Sequence, residues 1–271
     1  MRTVPLALLL LSGCLDNTPP TLAPDALDDN LRWTWRNADT ADDASLRDAA
    51  SKLATAGKAE TRTTPLKGQA RLRLEAEDVQ AVGLGGNDPS AARGLLIVNP
   101  FDCTLSRLQA ILSAGDQASQ YPDVYKSYAR TFRTDQAAFL SGSAQRLDWD
   151  VTLKAALPVE DVYESRLRGG LRRVKGEATE ATHGDFLVAR TWLTAPAAFS
   201  AGSTSYFKQD YQVEIFWEQS PGKIFHAYGV WREIKVGSVN LTIEDDGFAQ
   251  IVLDNLVKWD EQTARLCAQG G

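Results

Sequence analysis

Five strand-like segments followed by one long amphipathic helix fill the second half of the chain, and little else constrains its fold as strongly. "LDWDVTLKAALP" alternates Trp149, Val151 and Leu153 against Asp150, Thr152 and Lys154. Side chains of an extended chain point to opposite faces in turn, so this pattern predicts a strand with one buried face. "DVYESRLRG" pairs with it across a Pro-Val-Glu turn. "DFLVARTWL", "QDYQVEIFWEQ" and "IFHAYGVWREIKV" continue the series, the last two joined by the turn "SPGK". Strands joined by short turns pair antiparallel. The closing segment places Phe248, Val252, Leu256, Trp259 and Leu266 on one helical stripe, with Asp254, Lys258 and Glu261 opposite and Asp245 or Asp246 as cap. The expected class is α+β, with the final helix covering one face of the sheet.

Upstream, "GLLIVNP" reads as a buried strand. "CTLSRLQAILSAG" reads as a helix with Leu105, Leu108, Ile111 and Leu112 on one face. "YPDVYKSYARTF" sets Tyr121, Tyr125, Tyr128 and Phe132 at helical spacing and predicts a second helix. Residues 31–93 form an N-terminal extension expected to pack on the main body. In it, Trp33 and Trp35 of "LRWTWR" alternate as in a short extended piece. "DDASLRDAASKLATAG" carries Leu46, Ala49, Ala50 and Leu53 at helical spacing, with Gly57 as its end. "QARLRLEAEDVQAV" reads as a strand and a turn of helix, and "VGLGGNDPSAARG" as turns. Residues 15–30, with three prolines and four aspartates, read as a flexible tether.

From residue 94 to about 268, this order of elements resembles the START-like (SRPBCC) helix-grip superfamily. The matching parts are "GLLIVNPFDCTLSRLQAIL", "YPDVYKSYARTF", "DWDVTLKAALPVEDVYESRL", "QDYQVEIFWEQSPGKIFHAYGVWRE" and "GFAQIVLDNLVKWDEQTARL". The resemblance implies a curved antiparallel sheet wrapped around the terminal helix, with an apolar cavity between them. It implies binding or carriage of a lipid or other hydrophobic molecule, and in a minority of members cyclase or hydrolase activity. The main domain is then 94–271. Trp149, Tyr163, Trp192, Tyr211 and Tyr228 are expected to face the cavity from the strands, and Val252, Leu256 and Trp259 from the helix. Tyr and Trp pair a large apolar face with one polar tip, which suits an amphipathic ligand and equally suits an ordinary core. His226 is either a satisfied polar group of the sheet or a ligand contact. Arg166, Arg168, Arg190 and Arg232 are expected on the outer face of the sheet.

The chain opens with "LLLLSGC" at residues 8–14. The apolar run at 4–11 is eight residues long, too short to span a bilayer and of the length of a signal-peptide core. Leu11-Ser12-Gly13-Cys14 resembles the lipobox of bacterial lipoproteins. That resemblance makes 1–13 a signal peptide, Cys14 the lipidated first residue of the mature chain and 14–30 its tether. Leu15, rather than Asp, resembles sorting to the outer membrane, so the expected location is the cell envelope, on the outer membrane's periplasmic face. An exported chain meets an oxidising space. Cys103 and Cys267 then form either one disulfide or two buried thiols. The bond would stabilise by roughly 3 to 5 kcal/mol in the chain-entropy model.

The formal net charge of −6 argues against a nucleic-acid partner and against a basic lipid-docking patch. The two histidines, His183 and His226, are far apart, and no thiolate cluster exists, so no metal is expected. No nucleophile elbow or phosphate loop occurs, so no cofactor is expected, and "GLGG" at 83–86 is a turn. The Asp pairs at 28–29, 42–43 and 245–246 do not fit a calcium loop; helix caps are the expected role. No catalytic set is visible, and the expected form is a monomer. Three functions follow: a ligand-binding lipoprotein, a scaffold lipoprotein with a filled core, or a cyclase- or hydrolase-like enzyme. The last requires a buried His226 or a carboxylate turned into the cavity.

Overall fold

The computed structural model describes residues 22–63, 71–156, 162–176, 184–237 and 246–269. Cys14 with its lipobox, most of the tether, the Pro-Val-Glu turn, His183 and Asp245 lie outside them. In chain order the elements are α1 (Leu27–Asn37), α2 (Asp43–Thr63), β1 (Arg71–Arg73), α3 (Ala76–Gln80), β2 (Arg93–Val98), β3 (Phe101–Asp102), α4 (Leu105–Ser113), α5 (Gln117–Gln120) and β4 (Ser127–Phe132). There follow α6 (Gln136–Leu140), β5 (Arg146–Ala156), β6 (Val162–Val174), β7 (Phe186–Leu193), β8 (Ala198–Phe199), β9 (Tyr206–Ser220), β10 (Lys223–Lys235) and α7 (Asp246–Ala268).

The strands form one antiparallel sheet in the order β1-β2-β10-β9-β7-β6-β5-β4, with β3 beside β10 and β8 beside β6. The β9–β10 hairpin is its longest pairing, and register shifts at Lys223/Ile224 and Glu233/Ile234 break its ladder. Such bulges add twist and bend to a sheet. Helix α7 lies on the inner face. Its Phe248, Ala249, Val252 and Leu256 pack with Leu95, Ile97, Tyr228 and Val230. Trp259 and Cys267 belong to a second cluster with Phe216, Leu105 and Leu108. A curved sheet holding the terminal helix is the α+β architecture expected from the order of segments.

Both faces of the sheet carry helices, the outer face over part of its width. On the outer face, α1 and α2 cover β9, β10, β2 and the far end of β6. Trp35 is fully buried there, with its ring centroid 6.0 Å from Trp192, 5.7 Å from Tyr211 and 6.5 Å from Trp231. Its indole N–H donates to the Asp78 carbonyl at 2.8 Å. Strand β1 extends the sheet at the same edge.

Several expectations are corrected. "LRWTWR" is helical, not extended: Leu31, Thr34 and Trp35 are buried at helical spacing, and Asp28 and Asp29 occupy the first turn. Acidic groups there favour the positive end of the helix dipole, and two alternating tryptophans are too short a run to define a strand. The packed chain also begins inside the expected tether, since Ala23 is buried and the Asn30 amide donates to the Pro24 carbonyl. "YPDVYKSYARTF" is no helix. Pro122 and Asp123 precede an edge strand, β4, on which Tyr128, Arg130 and Phe132 are half-buried and the residues between exposed. The last of the spacings four, three and four, from Tyr128 to Phe132, also satisfies alternation. Gly57 does not end α2. A Cβ there would lie 2.8 Å from Val98 Cγ2, so the glycine lets α2 approach β2 closely.

Gly94 plays the same part within the sheet: a Cβ would lie 2.4 Å from Trp231 Cδ1 and 2.7 Å from Leu72 Cβ. Gly94→Ala is expected to cost about 1–3 kcal/mol through overpacking. Urea unfolding would register it, and an unchanged midpoint would refute the crowding.

Candidate functional site

A cavity of about 570 Å³ lies between the inner face of the sheet and α7. Strand alternation supplies one wall: Trp149, Val151 and Leu153 from β5, and Tyr163, Ser165 and Leu167 from β6. Val252, Leu256 and Trp259 supply the helix side. Tyr121 stacks on Trp259 with centroids 5.2 Å apart, and its hydroxyl meets Thr263 Oγ1 at 2.9 Å. The Arg130 guanidinium lies 4.1 Å over the Trp149 ring and donates to the carbonyls of Leu112 and Ala114 and to the Tyr128 hydroxyl.

One part of the wall is polar. Asp210, Gln212 and Glu214 alternate along β9 toward the cavity. Arg232 of β10, opposite Asp210 in register, donates from Nε to Asp210 Oδ1 at 2.9 Å and from Nη2 to the Tyr228 hydroxyl at 3.0 Å. Burial pushes the Asp210 carboxyl above its ordinary range, against the pull of Arg232. The Arg232 guanidinium loses solvation too, but Asp210 outweighs that loss and keeps it charged.

Behind this wall lies His226, fully buried and stacked on Phe216 at 4.3 Å. Its Nδ1 lies 2.9 Å from Asp260 Oδ1 and its Nε2 lies 3.0 Å from Glu214 Oε2. Asn99 Nδ2 donates to the other Asp260 oxygen at 2.7 Å. Burial pulls the imidazole pKa down, yet the adjacent Asp260, then Glu214, outweigh it and raise the value to about 9 from 6.5. The ring is therefore an imidazolium at neutral pH, with both N–H groups donating to carboxylates. A raised pKa contributes stability that is complete below 6.5 and is lost as pH rises through about 9. The melting temperature is therefore expected to fall between those values. In His226→Gln that fall should be absent; an unchanged pH slope would remove the imidazolium from the account.

Of the residues expected to contact a ligand, Trp149, Tyr163, Tyr228, Val252, Leu256 and Trp259 line the cavity. Trp192 and Tyr211 do not. They face the outer side against Trp35, and the Tyr211 hydroxyl accepts from Asn87 and donates to Gln209. The reason is that α1 turns the outer face into a second core. His226 stands one layer behind the cavity, with Glu214 between. Arg166 and Arg168 lie on the outer face, Arg168 bonded to Asp150. Arg190 is on that face but buried, donating to the Trp35 carbonyl at 2.7 Å and paired with Asp39. Arg232, expected outside, lines the cavity. Cys103 and Cys267 are joined by a disulfide, with Cα atoms 5.4 Å apart. Asp42 caps α2 through the Ser45 N–H at 2.7 Å.

Asp210, Glu214 and Asp260 went unnoticed in the sequence. One signal was present for Asp260: it falls four residues after Leu256 on the buried stripe of α7, where a charge needs a partner.

No protein-family model and no curated protein matches the sequence. Solved structures do. A START superfamily protein from Mycobacterium smegmatis is 10% identical with a TM-score of 0.41, over 65% of this chain and 97% of that one. The di-domain ARO/CYC protein BexL of the BE-7585A biosynthetic pathway is 13% identical with a TM-score of 0.40, over 82% of this chain and 62% of that one. The Zhui aromatase/cyclase from Streptomyces sp. R1128 is 10% identical with a TM-score of 0.34, over 65% of this chain and 91% of that one.

Proposed function

We propose that this chain is a lipid-anchored protein of the cell envelope that binds an amphipathic apolar molecule between its sheet and its C-terminal helix. The carrying observation is the cavity itself: about 570 Å³, walled by aromatic and aliphatic side chains together with the polar set of β9 and β10, Arg130 of β4 and charged residues of α7. That size and lining match sites for small organic ligands. A filled core, as a pure scaffold would have, leaves no such space. Burial of apolar surface, worth about 25 cal/mol per Å², supplies affinity for a class of molecules rather than for one. The lipobox at residues 11–14 would fix where that molecule is met.

Native mass spectrometry of the protein taken gently from its own membrane is expected to show a co-purifying small molecule. A bare chain after extraction from several growth conditions would count against carriage. Cys14→Ser is expected to release the protein from the membrane fraction; a wild type that is equally soluble would overturn the anchor.

Glu214 favours a second reading. It is a cavity-facing carboxylate backed by His226 and Asp260, an arrangement that can hold and pass a proton. Under that reading, incubation with the co-purifying molecule yields a chemical change that Glu214→Gln abolishes while binding persists.

A further inference from the structure

We propose that the cavity selects an amphiphile whose polar end is a positively charged nitrogen, seated against Glu214. This deepens the ligand-binding reading above and rests on it. The polar stretch and the layer behind it hold three carboxylates, of Asp210, Glu214 and Asp260, and two cations, Arg232 and the His226 imidazolium. Asp210 is bonded to Arg232, and Asp260 to His226 and Asn99. Glu214 and Asp260 share the one His226 ring, so the carboxylates of this cluster outnumber its cations by one. Glu214 lines the cavity, and among the described residues its side chain bonds only His226, through Oε2.

The two arginines of the cavity interior are poor receivers for an anion. Arg232 already donates to Asp210 and Tyr228, and Arg130 to two carbonyls and Tyr128. The exposed Lys258 and Arg265 share the lining with the exposed Asp123 and Glu261, and Arg265 donates to Gln262. Tyr228 and Phe216 are neighbours of Glu214 in the sheet. Tyr228 is opposite Glu214 in register, and Trp259 lies 6.3 Å from Phe216. A cation held over such rings is attracted by their quadrupoles, and more so out of water. A separate observation also calls for a ligand. Ser165 is 1% exposed and lines the cavity, yet its Oγ has no hydrogen-bond partner among the described residues. A buried hydroxyl left this way is costly, and a polar group on the bound molecule would satisfy it.

The test is calorimetric titration of the delipidated full chain, disulfide intact, with four probes sharing one tail: dodecylammonium, dodecyltrimethylammonium, dodecanol and dodecanoate. Both ammonium probes are expected to bind about tenfold more tightly than dodecanol, and dodecanoate more weakly than dodecanol. In Glu214→Gln the ammonium advantage should vanish while dodecanol binding is kept. Dodecanoate binding as tightly as the ammonium probes, or an ammonium preference that survives Glu214→Gln, overturns the proposal. The wild-type ranking needs no variant and decides the matter even if Glu214→Gln does not fold. Equal binding of all four probes would leave the cavity reading standing and this one fallen; no binding by any of them would bring down both.

Discussion

His226→Ala is expected to lower the free energy of unfolding by about 3–5 kcal/mol, because it leaves buried charge without its partner. Asp260 has essentially no solvent contact and, among the described residues, keeps only Asn99 once the imidazolium is gone. Glu214, on the other side of the vacated space, adds a like charge. Against a usual total of about 5–15 kcal/mol, the loss is large. Urea unfolding with an unchanged slope would measure it. Replacing His226, Asp260 and Glu214 together by leucine should recover much of the loss, since a buried ionic network exchanged whole for apolar groups is often neutral. A single-variant loss under about 1 kcal/mol would mean that water or rearrangement compensates the charges.

Removal of the Cys103–Cys267 bond is the second large effect. The bond joins residues 164 apart in sequence, and the chain-entropy model gives about 5 kcal/mol for a closed loop of that length. Paired Cys103→Ser and Cys267→Ser replacements are expected to lower the melting temperature by roughly 6–15 °C for a chain of this size. Native contacts should survive, since Arg107 still donates to the Leu266 carbonyl and Trp259 still stacks on Tyr121. A shift of a degree or two by calorimetry would show that the unfolded chain is already compact without the link.

Strands β5, β6, β7, β9 and β10 and helix α7 were legible because their periods are long and clean, whereas the two-residue β8 has no period to read. What could not be read was which side of each strand faces the ligand. On β5, Trp149, Val151 and Leu153 face the cavity while Thr152 and Lys154 face solvent, so alternation names the right side. On β9 the same form of pattern misleads. Tyr211, Val213, Ile215 and Trp217 look like an inner face but belong to the outer core, and the polar set Asp210, Gln212 and Glu214 lines the cavity. The difference is α1 and α2, which cover β9 and β10 but leave β5 open. Nothing local to β9 records that cover. Its trace is remote, in Trp33 and Trp35, whose bulk needed a partner surface. The His226 site was hidden for a similar reason: its members sit on β9, β10 and α7, and only the antiparallel register and helix packing bring residues 214, 226 and 260 together.

The disulfide also sets the mechanics of the cavity roof. It fastens α7 near its last residues to the start of α4, beside the Arg107 clasp on Leu266. A helix pinned at one end moves as a lever. At 1.5 Å per residue, Trp259 stands about 12 Å and Val252 about 22 Å from Cys267, so a tilt of about 10° carries them roughly 2 Å and 4 Å. Any widening of the cavity by α7 is therefore graded along its length, least over the rings of Trp259 and Tyr121 and greatest over Val252.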